Sequence, residues 1–327
     1  MTPPPDAGPD GGSCDGGLCP PEKITGELMD LWDLASDEAN LYWLDNGNEN
    51  AGLFGQLVRQ SKSVVCLKAD AGCSTDLTPD PQGLFRVDTL TVGNGHVCWT
   101  DGQETARDLR CLDTTTNNLT VVARSQAWAT GPRWFGTTLW WVDQTDTGTL
   151  QHSDLATGPV TFVGRPNPTS VVVTADTVAW TETGVGSPAV LSRPLAGGSS
   201  TPIAIQQQAP RSLVACGDAL VWVDFGKGTV MKGTTAANSG APIVSNQQRP
   251  LNVVCDATHV YWLNAGLSQA GTDGSLWQAR LDGTEVLPMV QAIQLAAGLT
   301  QDDTYVYFGA SGVNTGSGAI WRMRKHP

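Results

Sequence analysis

A chain of 327 residues with 40% apolar side chains can bury a large core, while 19 Lys and Arg against 32 Asp and Glu leave a formal charge of −13. That excess repels phosphate backbones and anionic headgroups, which are bound mainly through clustered cations, so no nucleic-acid partner is expected. The 37 Gly, 20 Pro and 12 Trp favour short strands and tight turns over long amphipathic helices, and no apolar run approaches the roughly 18 residues of a transmembrane segment.

Residues 1–21, MTPPPDAGPDGGSCDGGLCPP, carry almost no hydrophobic content and cannot offset the entropy of ordering, so they read as a flexible tether. They lack the basic start and apolar centre of a signal peptide. Residues 22–327 read as one domain. EKITGEL, Glu22 to Leu28, is a short strand-like stretch ahead of MDLWDLASD.

From there one phrase recurs: YWLD at Tyr42, CWTD at Cys98, WWVD at Trp140, AWTE at Ala179, VWVD at Val221, YWLN at Tyr261 and the degenerate VYFGA at Val306. Aligned on Trp43, Trp99, Trp141, Trp180, Trp222, Trp262 and Phe308, the copies recur at about 40 residues, the period of propeller blades with four strands each. The longest interval follows Trp43 and holds Cys66 and Cys73, which points to a loop excursion and not to a further blade. Each phrase follows an apolar lead-in strand such as PRSLVAC and precedes a Gly turn, a third strand such as GTVMKG and a fourth such as APIVS. A blade's second strand is covered on both faces, which explains continuous apolar runs such as LVWV. The following Asp or Asn, at Asp45, Asp101, Asp143, Asp224 and Asn264, suits a strand end where a short acceptor bonds turn N–H groups.

The predicted fold is therefore an all-β, seven-bladed propeller of four-stranded antiparallel blades. Its last copy, AIWRMRKHP, stops after a third strand, so Glu22 to Leu28 is predicted to supply the outer strand and close the ring, since open edges invite association.

The eight cysteines suggest an oxidising compartment and fall into local sets. The expected pairs are Cys14–Cys19, Cys66–Cys73, Cys98–Cys111 across a hairpin, and Cys216–Cys255 at matching places of successive repeats. No CxxC pair supplies zinc-ligand spacing.

The blocks YWLD, CWTD and YWLN, with LWQARLDG after the last, resemble the YWTD-type propeller repeats of low-density-lipoprotein-receptor ectodomains, and are similar to the TolB-type propellers of bacterial periplasmic proteins. The resemblance implies the blade and carries no activity. Two departures stand out: seven copies against six in the YWTD group, and VYFGASG without Trp and Asp. The first twenty or so residues resemble, in composition, the linker after the lipidated cysteine of myxobacterial surface lipoproteins. That implies a secreted, periplasmic or outer-surface protein, lipid-anchored in its precursor.

Function is expected at the axial channel mouth, where the loops leading into each inner strand gather. AWATGPRW, QQQAPR and NQQRP repeat Gln, Pro and Arg, placing Arg133, Arg211 and Arg249 around one rim, with Trp128 and Trp134 as stacking surfaces. The structural alternative is that these arginines bond loop carbonyls or acids. No Ser or Cys nucleophile is paired with His96, His152, His259 or His326, and no GxSxG is present. The acids Asp101, Glu104, Asp143, Asp146, Glu182 and Asp224 carry the oxygens that Ca²⁺ takes, but no compact ligand loop appears and no cofactor is expected. The expected function is a monomeric, non-enzymatic binding propeller for a protein or glycan ligand. The alternatives are a metal-assisted hydrolase of the propeller lactonase type and a structural envelope scaffold.

Overall fold

The structure, a computed structural model, describes residues 20–325 apart from 48–53, 67–71, 81–82, 104–105, 185, 269 and 312–315. Most of the expected tether, the Cys14–Cys19 pair, Glu104 and His326 lie outside the described residues.

Among the described residues twenty-eight strands form seven four-stranded antiparallel sheets. Six sheets take their strands in chain order. In the seventh, Glu22–Leu28 lies outermost against Gly318–Arg324, where Arg322 Nε meets Glu22 Oε2 at 2.6 Å. Inner strands pack against those of both neighbouring blades, and the seventh, Ala296–Gln301, packs against the first, Leu31–Ser36. The ring is closed.

The repeated phrase occupies the second strand of every blade, from Asn40–Asp45 to Tyr305–Ala310. The seven aligned aromatics are at most 2% exposed. They fill the wedge between blades that splay outward from the axis, which is why large flat side chains recur there.

Inner strands carry a register shift near their start in every blade but the second. A bulge frees one residue from the ladder. Near these starts the inner strands bond the neighbouring blade, through the bulge residues Gly131, Ser212 and Leu213 and through Asp33: Leu90 N–H donates to Asp33 Oδ2 at 2.8 Å, Gly131 N–H to Thr89 Oγ1 at 2.9 Å, Leu213 N–H to Ser170 Oγ at 3.1 Å and Val253 N–H to Ser212 Oγ at 2.9 Å. At the matching place in the seventh blade Gly298, with φ of +58°, lets the backbone of Leu34 approach so closely that a Cβ would lie 2.8 Å from Leu34 Cβ.

Among the described residues three disulfides join Cys66 to Cys73, Cys98 to Cys111 and Cys216 to Cys255. The first closes a loop beside the ring closure, where Cys66 N–H donates to Ile24 O at 2.7 Å. The last staples the inner strands Pro210–Cys216 and Pro250–Cys255 at the end of the channel away from the mouth. No helix occurs among the described residues, so none is long and apolar enough to cross a membrane.

Candidate functional site at the channel mouth

Each inner strand runs from the mouth to the opposite end, so the lead-in loops and the loops between second and third strands share the mouth face. Strand-end acids organise these loops. Asp224 accepts the N–H groups of Gln208, Ala209 and Lys227 at 2.9, 3.1 and 3.0 Å. Asp143 accepts Trp128 N–H at 2.6 Å, and Asp45 accepts those of Met29 and Asp30. Glu182 takes Arg165 Nε at 2.8 Å and Trp180 Nε1 at 3.0 Å, Asp101 takes Arg110, and Asp146 takes Asn167 Nδ2. These carboxylates are spent on loops and arginines, and among the described residues no three His, Cys, Asp or Glu gather as a metal would require.

The repeated Gln and Pro have local causes. Gln207 Oε1 accepts Trp222 Nε1 at 3.1 Å and Gln247 Oε1 accepts Trp262 Nε1 at 2.8 Å, tying the loop to the blade core. Pro168, Pro210 and Pro250 open inner strands, where a missing N–H costs the ladder least.

The axial cavity, of about 640 Å³, is lined by residues in or just before the inner strands of all seven blades, among them Trp32, Asp33, Asp88, Arg133, Arg211 and Asn252. Asp33 bridges two blades through its Leu90 bond. Burial raises its carboxyl to about 6, although the N–H groups of Leu90 and Leu34 and the charge of Arg133 oppose the rise. Burial also raises Asp88, despite its ion pair with Arg107 Nη1 at 2.9 Å. The Arg107 guanidinium lies 4.1 Å from the centroid of the Trp128 ring, which is 38% exposed.

The five residues expected at the mouth separate. Trp128, Arg211 and Arg249 stand there. Arg133 does not lie in the lead-in loop, because the inner strand Ala129–Phe135 begins earlier than the sequence suggests. It projects into the channel, donates to Pro132 O at 3.1 Å and feels Asp33, while burial lowers its guanidinium. Trp134 lies at the other end of the same strand, one residue from the hairpin turn. There its ring packs where a Gly93 Cβ would fall and stands 6.2 Å from the ring of His96. The expectation of Trp134 at the mouth is corrected on this point: a seven-residue strand spans the channel, so its first and last residues sit at opposite ends.

Arg211 and Arg249 come together, their guanidinium carbons 4.3 and 4.9 Å from the centroid of one ring, Phe225. Neither guanidinium makes an ion pair or a hydrogen bond among the described residues. Burial, then the charge of Arg249, lowers the Arg211 guanidinium, and Asp224 only partly offsets this. Phe225, Asp33, Asp88 and Arg107 were not singled out in the sequence. The one available signal for Phe225 was its place directly after a strand-end Asp.

No protein-family model and no curated protein matches the chain. Solved structures do. The propeller domain of the Trilobed protease from Pyrococcus furiosus aligns over 92% of this chain and 96% of its own, with 8% identity and a TM-score of 0.65. A catalytically inactive virginiamycin B lyase from Staphylococcus aureus, solved with quinupristin, aligns over 94% and 99% with 16% identity and a TM-score of 0.62. The computationally designed Ika8 protein aligns over 92% and 99% with 13% identity and a TM-score of 0.60. At these identities the likeness concerns the fold alone: the chain is a seven-bladed β-propeller.

Proposed function

We propose that the protein is a secreted or envelope-tethered binding propeller that seats a protein or glycan ligand at the channel mouth without chemical turnover. The observation that carries this reading is the makeup of the mouth. The unpaired guanidiniums of Arg211 and Arg249 gather over Phe225, Arg211 and the exposed ring of Trp32 line one polar cavity and Trp128 carries Arg107, while the carboxylates that a hydrolase would need are bonded to loop N–H groups and arginines. Rigid aromatics and arginines are the side chains that anchor ligands at low entropic cost. Three disulfides fit an extracytoplasmic setting, and the composition of residues 1–21 fits a surface tether.

The test is retention of the purified protein on immobilised oligosaccharides and on envelope proteins, with Trp128→Ala in parallel. Retention that falls about tenfold with Trp128→Ala supports a ligand at the mouth. Retention that the substitution leaves untouched places the ligand elsewhere on the propeller.

A further inference from the structure

Most arginine guanidiniums among the described residues have an oxygen partner. Arg107, Arg110, Arg165, Arg280 and Arg322 each meet a carboxylate, and Arg59 and Arg193 donate to backbone carbonyls. Arg211 and Arg249 do neither, yet they converge on Phe225. The acids nearest them are occupied: Asp224 holds three backbone N–H groups, and Asp273 holds those of Leu267 and Ser268. Two like charges gathered over one ring repel each other, and the ring's quadrupole offsets only part of that cost. A shared oxyanion would remove the repulsion, because a guanidinium fork offers two parallel donors to a carboxylate.

The same cavity that Arg211 lines carries the indole of Trp32, 46% exposed, the hydroxyls of Thr89, Thr130 and Ser212, and the amides of Gln144 and Asn252. Flat apolar faces beside many neutral hydrogen-bonding groups match the two kinds of surface a sugar ring presents. We propose that Arg211 and Arg249, backed by Phe225, clamp the carboxylate of an acidic saccharide at the channel mouth. This rests on the binding reading above and names the group that the ligand must carry. The two arginines recognise charge, and the aromatic and hydroxyl surfaces recognise the rest of the sugar.

The probe is a set of uronate- and sialate-bearing oligosaccharides with their neutral counterparts, titrated calorimetrically into wild type, Arg211→Gln, Arg249→Gln and Trp128→Ala. An acidic member should bind, its neutral counterpart about tenfold or more weaker, and each Arg→Gln change should lose about tenfold or more in affinity. Because each substitution also relieves repulsion, neither should lower the melting temperature. Acidic binding that survives both substitutions overturns the clamp. Neutral binding of equal strength that depends on Trp128 also overturns it, while leaving the mouth as a binding site. Displacement of the acidic saccharide by an equal concentration of inorganic phosphate overturns the saccharide assignment in favour of a plain oxyanion. Binding of an acidic peptide through both arginines, with no saccharide bound, overturns it in favour of a protein ligand. No binding by any saccharide overturns the clamp, and the mouth reading falls as well only if envelope proteins are not retained either.

Discussion

Asp224 shows how a single side chain can support a whole loop. It is fully buried, and its two oxygens satisfy three N–H groups that would otherwise be stranded in the mouth wall. Asp224→Ala should therefore cost about 3 kcal/mol of unfolding free energy in urea titrations, and Asp224→Asn less, because the amide keeps one acceptor. Asp33 is the opposite case, a carboxyl whose burial outweighs its two N–H bonds. With a folded value near 6, above its unfolded value, it favours the folded state fully only at low pH, and that contribution is lost as pH rises from about 4 through 6. A carboxyl carbon resonance for Asp33 titrating near pH 6 is expected. A midpoint in the ordinary range would show that the channel waist is wetter than its lining implies.

At the scale of elements, the turn between inner and second strands repeats in blades one, six and seven. Asp37, Asp256 and Asp302 each accept the hydroxyl of a Tyr five residues on, Tyr42, Tyr261 and Tyr307, at 2.8, 3.1 and 2.7 Å. Burial opposes ionisation of Asp302, but the Tyr305 and Thr304 N–H groups, the Tyr307 hydroxyl and Lys62 outweigh it and bring the carboxyl down to about 2. Its stabilisation is present above pH 4 and lost as pH falls towards 2. With solvent screening of this partly exposed group, Asp302→Asn should cost about 1 kcal/mol at pH 7 and almost nothing at pH 2, read from denaturant midpoints across that range. The second strands answer to packing: Trp222→Ala should cost about 3–5 kcal/mol by the same measurement, since the inter-blade wedge cannot collapse onto the void.

Over the whole molecule, stability depends on closing the ring. Glu22–Leu28 covers the edge of Gly318–Arg324, and Arg322, Ser311 and Cys66 add bonds around that seam. Removing residues 1–28 should leave an unpaired edge that self-associates. Light scattering on the eluted protein should find dimers or larger species, and a well-folded monomer would show that the third strand tolerates an open edge. The Cys216–Cys255 bridge ties two blades across 39 residues of sequence, and its removal by Cys216→Ala with Cys255→Ala should cost about 2–4 kcal/mol.

The blade count, the second strands and the closing strand were legible in the sequence because each repeat must bury the same two-sided strand, and burial writes itself as a local apolar run with Trp at one place. Cys98 and Cys111 were legible for a related reason: hairpin neighbours stay close in sequence, and the two residues face each other directly in register. The site was less legible. Where Ala129–Phe135 begins depends on a bulge that no local pattern records, so Arg133 and Trp134 read as loop residues although one lines the channel and the other lies at its far end. The partnership of Arg211 and Arg249 over Phe225 joins two successive blades, and Asp33 gains its raised pKa from a cavity that seven blades enclose together. Local periodicity determined the ring, because each blade repeats the same burial problem. Only the tertiary structure decided which side chains meet inside it, because convergence on the axis depends on strand starts and bulges that leave no repeating mark.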